Sequence, residues 1–516
     1  MAKPWSLQVG DINLTTGEEP TVAERPEPGM PFRIALLGNF SGRVGTAGPG
    51  LAERRPVPVD RDNFEEVLAR FNVTVRLPAV GESADRVEIP IKELDDFHPD
   101  RLFQQLKVFE VLRGLRRRLA NPTTFAAAAA EVRRWAPAKA AVEPTAKSKD
   151  PGAVSSTINP ANLLEQMLGL EPSSSEAAAP PSDTTDWNAL VAQIVQPYMV
   201  PGKDPRQPEL IAHVDEATGA HMRAILHHPD FQDVEAAWRG VEFLVRRLET
   251  DGNLKVSLLD VSREELTADL AGADGKRLGA LHKLLVEQSV GTAGGKPWAV
   301  IVGNFSFRSV PEDVLLLVRL ARIAREAGSP FLAAGHPSIF GCASLAETPD
   351  PDDWQAPADA VGAEAWETLR RLPEAAYLGL AVPRFLLRLP YGTSASAADQ
   401  FHFEEFPGPA PHEHLLWGNP AFACAVLLGQ AFSQEGWAMR PGVIHEIGGL
   451  PAYTYREDGE SMLKPCAEVL LVDRAVERIL EAGLIPLRSV QASDEVRVAK
   501  FQSLASSQAP LAGRWR

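Results

Sequence analysis

Apolar and polar positions follow two rhythms along this chain, and each rhythm places its elements. Leu7, Val9, Ile12 and Leu14 alternate with polar neighbours and predict an exposed strand or hairpin. Arg33-Ile-Ala-Leu-Leu-Gly-Asn-Phe40 is a short apolar run ended by glycine, the pattern of a buried strand entering a turn. Asp62-Asn-Phe-Glu-Glu-Val-Leu-Ala-Arg70 reads as a helix, with Asp62 as cap and Glu65 three residues on. Val73, Val75 and Leu77 return to strand alternation, as do Val87, Ile89 and Ile91. Asp95-Asp-Phe-His-Pro-Asp100 opens a second helix, over 99–119. Leu102, Leu106, Phe109, Leu112 and Leu115 form its apolar stripe; Arg113, Arg116, Arg117 and Arg118 lie on the other face.

From about Pro137 to Thr185 the rhythm lapses into Pro, Ala, Ser and Lys, a composition that buries too little apolar surface to offset its ordering entropy. Residues 136–186 therefore read as a linker between domains at 1–135 and 187–516. Inside it, Asn159-Pro-Ala-Asn-Leu-Leu-Glu-Gln-Met-Leu-Gly-Leu170 has a capping asparagine and proline at the first helical position. Leu163, Leu164, Met167 and Leu168 line one face of that predicted helix. It is either a ligand for a groove on a partner or a helix packed on a neighbouring domain, and the pattern weighs the two evenly. Beyond Trp187, helices are expected at 230–249, 262–271, 277–289, 311–327, 364–371, 419–435 and 473–482. Strands are expected at 254–259, 298–302 and 466–471. Strands alternating with helices give an α/β (α+β) class, with mixed sheets flanked by helices. Ile34-Ala-Leu-Leu-Gly-Asn-Phe-Ser-Gly-Arg43 is echoed by Ala299-Val-Ile-Val-Gly-Asn-Phe-Ser-Phe-Arg308; related strand–turn units and chance both account for the echo.

Composition narrows the functional classes. The 516 residues are 45% hydrophobic and 23% charged, a globular mixture sufficient for two to four domains. A formal net charge of -16 is wrong for neutralising nucleic-acid phosphates and is repelled by anionic membrane surfaces. Cys342, Cys424 and Cys466 are far apart and odd in number, as expected of reduced, buried thiols in a cytoplasmic protein. No apolar run follows the first residues and none is long enough to span a bilayer, so neither a signal peptide nor direct membrane insertion is expected.

Candidate chemistry is weak throughout. Gly291-Thr-Ala-Gly-Gly-Lys-Pro297 is one residue short of a phosphate loop and has proline where the magnesium-binding hydroxyl belongs. His402, Glu404, Glu405, His412 and His414 could supply metal ligands, with 412 and 414 on one face if the segment were a strand; the proline-rich text favours a solvated loop. His227-His228 precedes Pro-Asp and reads as a helix start. Glu264-Glu265 and Glu404-Glu405 read as solvated carboxylates, and no nucleophile motif occurs. An enzyme, a metal site and a cofactor are not expected.

Longer motifs carry a resemblance. Pro31-Phe-Arg-Ile-Ala-Leu-Leu-Gly-Asn-Phe-Ser-Gly42, Val59-Asp-Arg-Asp-Asn-Phe-Glu-Glu-Val-Leu68 and Leu94-Asp-Asp-Phe-His-Pro-Asp100 resemble the small contractile-sheath subunit of type VI secretion (TssB, or VipA). Ile225-Leu-His-His-Pro-Asp-Phe231, Glu235-Ala-Ala-Trp-Arg-Gly240, Val302-Gly-Asn-Phe-Ser-Phe307 and Pro311-Glu-Asp313 resemble the large subunit (TssC, or VipB). Tyr377-Leu-Gly-Leu380, Pro383-Arg-Phe-Leu-Leu-Arg-Leu-Pro-Tyr-Gly392, Trp417-Gly-Asn-Pro-Ala-Phe422, Gly448-Gly-Leu-Pro451 and Gly483-Leu-Ile-Pro-Leu487 continue that series.

The resemblance implies two sheath-subunit-like domains joined by a disordered linker, in a structural protein that assembles with itself and other sheath subunits around an Hcp-like tube. It implies contact with a baseplate and with a ClpV-like AAA+ ATPase, whose recognition helix would be 159–170. The strand-like start, with Leu7, Val9, Ile12 and Leu14, is the candidate edge strand for such assembly. The resemblance also implies a further large-subunit region past Arg516, supplying interlocking strands. A chain without that region could instead be an adaptor or cap that binds sheath, baseplate or tube and does not polymerise.

Overall fold

The computed structural model describes residues 6–9, 12–15, 29–43, 50–78, 86–135, 207–271 and 279–515, a few loop positions excepted, and only isolated residues between 136 and 206. Near the start, β1 (Ser6–Val9) and β2 (Ile12–Thr15) pair as an antiparallel hairpin, with Leu7 opposite Leu14 and Val9 opposite Ile12. The predicted helix at 159–170 lies outside the described residues.

The centre of the molecule is one nine-stranded sheet. Its first-half strands are β3 (Phe32–Gly38) and β4 (Val57–Val59). A separate hairpin follows, β5 (Val73–Pro78) with β6 (Arg86–Ile91). The second half adds β7 (Leu254–Asp260), β8 (Val300–Phe307), β9 (Phe331–Gly335) and β10 (Leu378–Val382). Small pairs follow: β11 (Phe385–Leu386) with β12 (Trp417–Gly418), and β14 (Thr454–Glu457) with β15 (Glu460–Leu463). Between these pairs in sequence, β13 (Glu446–Ile447) joins the main sheet, as do β16 (Ile485–Ser489) and β17 (Val496–Val498). The order is β13-β17-β16-β10-β9-β8-β3-β7-β4. The six strands from β16 to β7 run parallel and antiparallel strands close both edges.

Strand β3 is therefore internal to a sheet built mostly by the second half. It pairs with β7 from Phe32–Leu254 to Gly38–Asp260, and with β8 from Ile34–Val300 to Leu37–Gly303. The linker separates two stretches of chain whose strands share this sheet. The apolar run in β3 is unbroken because both faces are covered. Ile34 and Leu36 enter one core; Ala35 and Leu37 enter the other.

The helices sort by face. The first core takes α1 (Phe64–Arg70), α2 (Pro99–Gln105), α3 (Lys107–Ala120), α4 (Phe125–Trp135), α5 (Gln207–Leu226) and α6 (Pro229–Arg247). The second takes α7 (Arg263–Ala271), α8 (Pro311–Ala327), α9 (Ala360–Arg371) and α11 (Asp473–Glu481). α10 (Pro420–Glu435) returns to the first core beside α6; it is apolar all round from Pro420 to Gly429, where it is enclosed, and polar in its exposed last turn. The α/β class holds.

Several local expectations change. Asp62 does not cap α1; the helix begins at Phe64 after Asn63, and Asp60 takes the Asp62 and Asn63 amides instead. The expected helix at 99–119 is two helices, because Leu106 is extended (ψ 131) and turns the chain between α2 and α3. Residues 466–471 make only one isolated bridge, Ala467 to Phe385, and are not a strand. His412–His414 is a 3-10 turn, so those side chains do not share a strand face.

Candidate functional site at the seam of the two halves

Aromatic side chains close the seam. Trp238 on α6 is fully buried and donates its indole N–H to the Phe40 carbonyl at 2.7 Å, just past β3. Phe40, Phe64 and Phe71 stand edge-on around it, all within 6 Å of its ring centroid. Phe97 packs edge-on against Phe231, and Phe103 stacks on Phe401 at 4.3 Å. Rings from 40–103 thus fill sockets made by 231–401. Each fully buried ring contributes on the order of 1.5–3 kcal/mol.

Beneath the rings lies a buried ionic cluster. Arg388 bridges two carboxylates: Nε to Glu235 Oε1 at 2.8 Å and a terminal nitrogen to Glu405 Oε2 at 2.8 Å. Arg239 donates to Glu235 at 2.7 Å and to the Tyr391 hydroxyl at 3.0 Å. The single proton of the Tyr391 hydroxyl has two acceptors in reach, Glu235 Oε1 at 3.3 Å and, in the first half, the Phe97 carbonyl at 3.5 Å. His227 Nε2 lies 3.3 Å from Glu405 Oε1, and its ring stacks on His414. Burial opposes the charge on Glu405, but Arg388 and the adjacent His227 outweigh it and draw its pKa down to about 2. Burial likewise opposes ionisation of Glu235, yet Arg388 and Arg239 hold it below the usual carboxylate range. Burial and the Glu235 charge push Tyr391 up to about 12. Two carboxylates and two guanidiniums balance, which allows full charges in a space closed to water.

Glu405 and Glu265 correct the expectation of solvated carboxylate pairs: they are 1% and 8% exposed. Glu265 receives Arg54 through both terminal nitrogens, tying the first half to α7. A sequence signal for the cluster existed. Arg388 interrupts the apolar run Phe385-Leu-Leu-Arg-Leu389, and Glu235 lies on the apolar face of α6 between Phe231 and Trp238. A charge at such a position needs a buried partner.

The histidine-rich segment is dispersed. His412 meets Glu468 at 3.2 Å, His414 stacks on His227, Glu404 accepts from the Thr393 hydroxyl, and His402 is exposed. Among the described residues, no three His, Cys, Asp or Glu are grouped to hold a metal. His228 caps α6 by accepting the Asp230 amide, as His98 does for α2 from Asp100. The Gly291–Pro297 loop follows a helical turn and leads into a strand, the reverse of a phosphate loop's order. Leu163, Leu164, Met167 and Leu168 lie outside the described residues. Leu7, Val9, Ile12 and Leu14 fall in the β1–β2 hairpin.

A second feature is the cleft at the carboxyl ends of the parallel strands, about 760 Å3 in volume. It is rimmed by ion pairs: Arg43–Asp260 at 2.6 Å, Arg263–Asp313 at 2.6 Å, and Arg384 Nε–Glu468 at 2.9 Å. Burial opposes the Glu468 charge, but His412 and Arg384 draw its pKa down to about 2. Among the described residues no helix is long and apolar enough to cross a membrane.

Comparison with known proteins assigns the two halves separately. Residues 208–508 match the model of the EvpB/VC_A0108 tail sheath N-terminal domain. Residues 18–135 match the type VI secretion system family of VipA, VC_A0107 or Hcp2. A curated relative, the type VI secretion system sheath protein TssC1 of Pseudomonas aeruginosa, is 34% identical over 301 residues. That span is 57% of this chain and 60% of the relative, so the match covers less than two thirds of the relative's length. The chain belongs to the type VI secretion sheath family and carries a VipA-type region and a VipB-type region in one polypeptide.

Proposed function

We propose that this chain is a structural subunit of a type VI contractile sheath, in which one polypeptide supplies both members of the small–large pair. The observation that carries this reading is the position of β3. A strand of the VipA-type region lies between β7 and β8 of the VipB-type region, so one chain folds the mixed sheet of a paired unit. The buried Arg388 cluster and the Trp238 socket fit the same role, since both stiffen a seam and neither presents a reacting group to solvent.

Copies of the chain, alone or with other sheath subunits, would stack around an Hcp-like tube and drive it out by contraction from a baseplate. Such stacking requires heterologous surfaces, which extend without closing. The β1–β2 hairpin, with Leu7, Val9, Ile12 and Leu14, is the proposed edge for strand addition. Leu163, Leu164, Met167 and Leu168 are the proposed contact for a ClpV-like ATPase. Leu164→Asp with Met167→Asp is expected to abolish ATPase binding without unfolding the protein; unchanged affinity would sink that assignment. Electron microscopy of the purified chain, alone and with the tube protein, tests the whole reading. Tubes or stacked rings are expected; discrete particles in both samples would replace the sheath reading with an adaptor or cap.

A further inference from the structure

The twin segments Gly38-Asn-Phe-Ser-Gly-Arg43 and Gly303-Asn-Phe-Ser-Phe-Arg308 turn out to be spatial neighbours. β3 and β8 are adjacent and parallel, and a Cβ on Gly38 would lie 3.0 Å from the Asn304 Cβ. From β3 the chain goes to β4 and then β7 on one side of the sheet, and later to β8 on the other. Connections diverge at that point and leave a crevice outside the carboxyl ends of the strands, where doubly wound sheets receive ligands. The cleft lies there, lined by Asn39 and Arg43 from one twin and Asn304 and Arg308 from the other. Its volume of about 760 Å3 suits a small molecule.

We propose that this cleft is a binding site for a small oxyanion, a phosphate or carboxylate group, held between Arg308 and Arg384 with Asn304 beside them. Both guanidiniums are roughly half exposed, at 56% and 49%, and both line the cleft. Their counter-charges are already shared: Asp313 serves Arg263 and the Arg308 amide, and Glu468 serves Arg384 and His412. Arg308 Nε reaches Asp313 only at 3.5 Å, against 2.6 Å for Arg263, so the Arg308 fork is the less committed of the two. Asp230, Asp233 and Glu264 also line the cleft; burial raises the Asp233 pKa and Arg384 lowers it, so Asp233 lies within the field of Arg384. His336, also in the lining, is shifted below its ordinary value by burial and then by Arg308 and Arg384, with Asp313 and Glu468 acting the other way. Arg43 adds a buried Nε–H without an acceptor among the described residues. Planar guanidinium forks match both phosphate and carboxylate.

This site does not depend on sheath assembly and stands or falls separately from it. The test is isothermal titration of the full chain with inorganic phosphate and, in a second arm, citrate, at ionic strength held constant with chloride. Saturable one-to-one binding to at least one anion is expected, and the tighter of the two identifies the chemistry. Arg308→Gln and Arg384→Gln should each weaken it about ten-fold or more, while the exposed Arg117→Gln should leave it unchanged. If a glutamine variant fails to fold, Arg308→Lys keeps the charge without the fork and should still weaken binding several-fold. Non-saturating heats with both anions, or equal affinities in all variants, would overturn the site.

Discussion

Replacing Arg388 with methionine would leave Glu405 buried without its guanidinium, while Glu235 keeps only Arg239. The expected cost is about 3–5 kcal/mol, the range for removing one partner of a buried ion pair. Urea unfolding measures it, and adding Glu405→Gln to Arg388→Met should recover part of the loss. Acid acts on the same groups. Glu405 and Glu468 have folded pKa values of about 2, below the ordinary glutamate value. Their contribution is complete above about pH 4.3 and is lost as pH falls toward about 2. His221 acts earlier. Burial pushes it down to about 4, so below about pH 6.5 the unfolded chain takes a proton that the folded chain refuses. Stability should fall from about pH 6.5 to about pH 4 with a slope approaching about 1.4 kcal/mol per unit. His98, His228, His336 and His414 are shifted the same way, so the comparison with His221→Leu isolates this residue. Unfolding free energies at pH 7 and pH 5 should converge for the variant relative to the wild type; an unchanged gap would refute the assignment.

At the scale of the element, periodicity located β3, α6, α8 and α10 because each carries a long, one-pattern apolar stretch. It did not find the break at Leu106. The apolar spacing continues smoothly through that residue, which is extended and buried where α3 goes on to pack against α5. Nor could periodicity show that β3 lies between β7 and β8, since pairing between segments some 220 residues apart leaves no local mark. The Gly-Asn-Phe-Ser echo was the one hint, and its twins prove adjacent. The buried ion pairs were legible only as charges out of place. In α9, a Cβ on Gly362 would come within 2.1 Å of the Ser309 carbonyl oxygen, a backbone atom that cannot swing aside. Gly362→Ala should therefore cost about 1–3 kcal/mol and lower the melting temperature by several degrees.

For the whole molecule, the shared sheet predicts how the chain behaves when cut. A protease site placed in 136–186 should yield two fragments that still co-elute in gel filtration, held by β3, the Trp238 socket and Arg54–Glu265. Leu36→Ala, worth about 2–5 kcal/mol, should loosen that association in the cut protein far more than it disturbs the intact one. Prompt separation of the unmutated fragments would show that the linker, not the seam, holds the halves together. The route of the chain has a mechanical consequence as well. The β1–β2 hairpin lies upstream of β3, so a pull on the hairpin is passed on to Phe32, the first residue of a strand bonded on both sides. A load along β3 would shear the hydrogen bonds of both ladders together instead of peeling them one at a time. Tension entering at the hairpin is delivered to the middle of the sheet, where the molecule is best built to bear it.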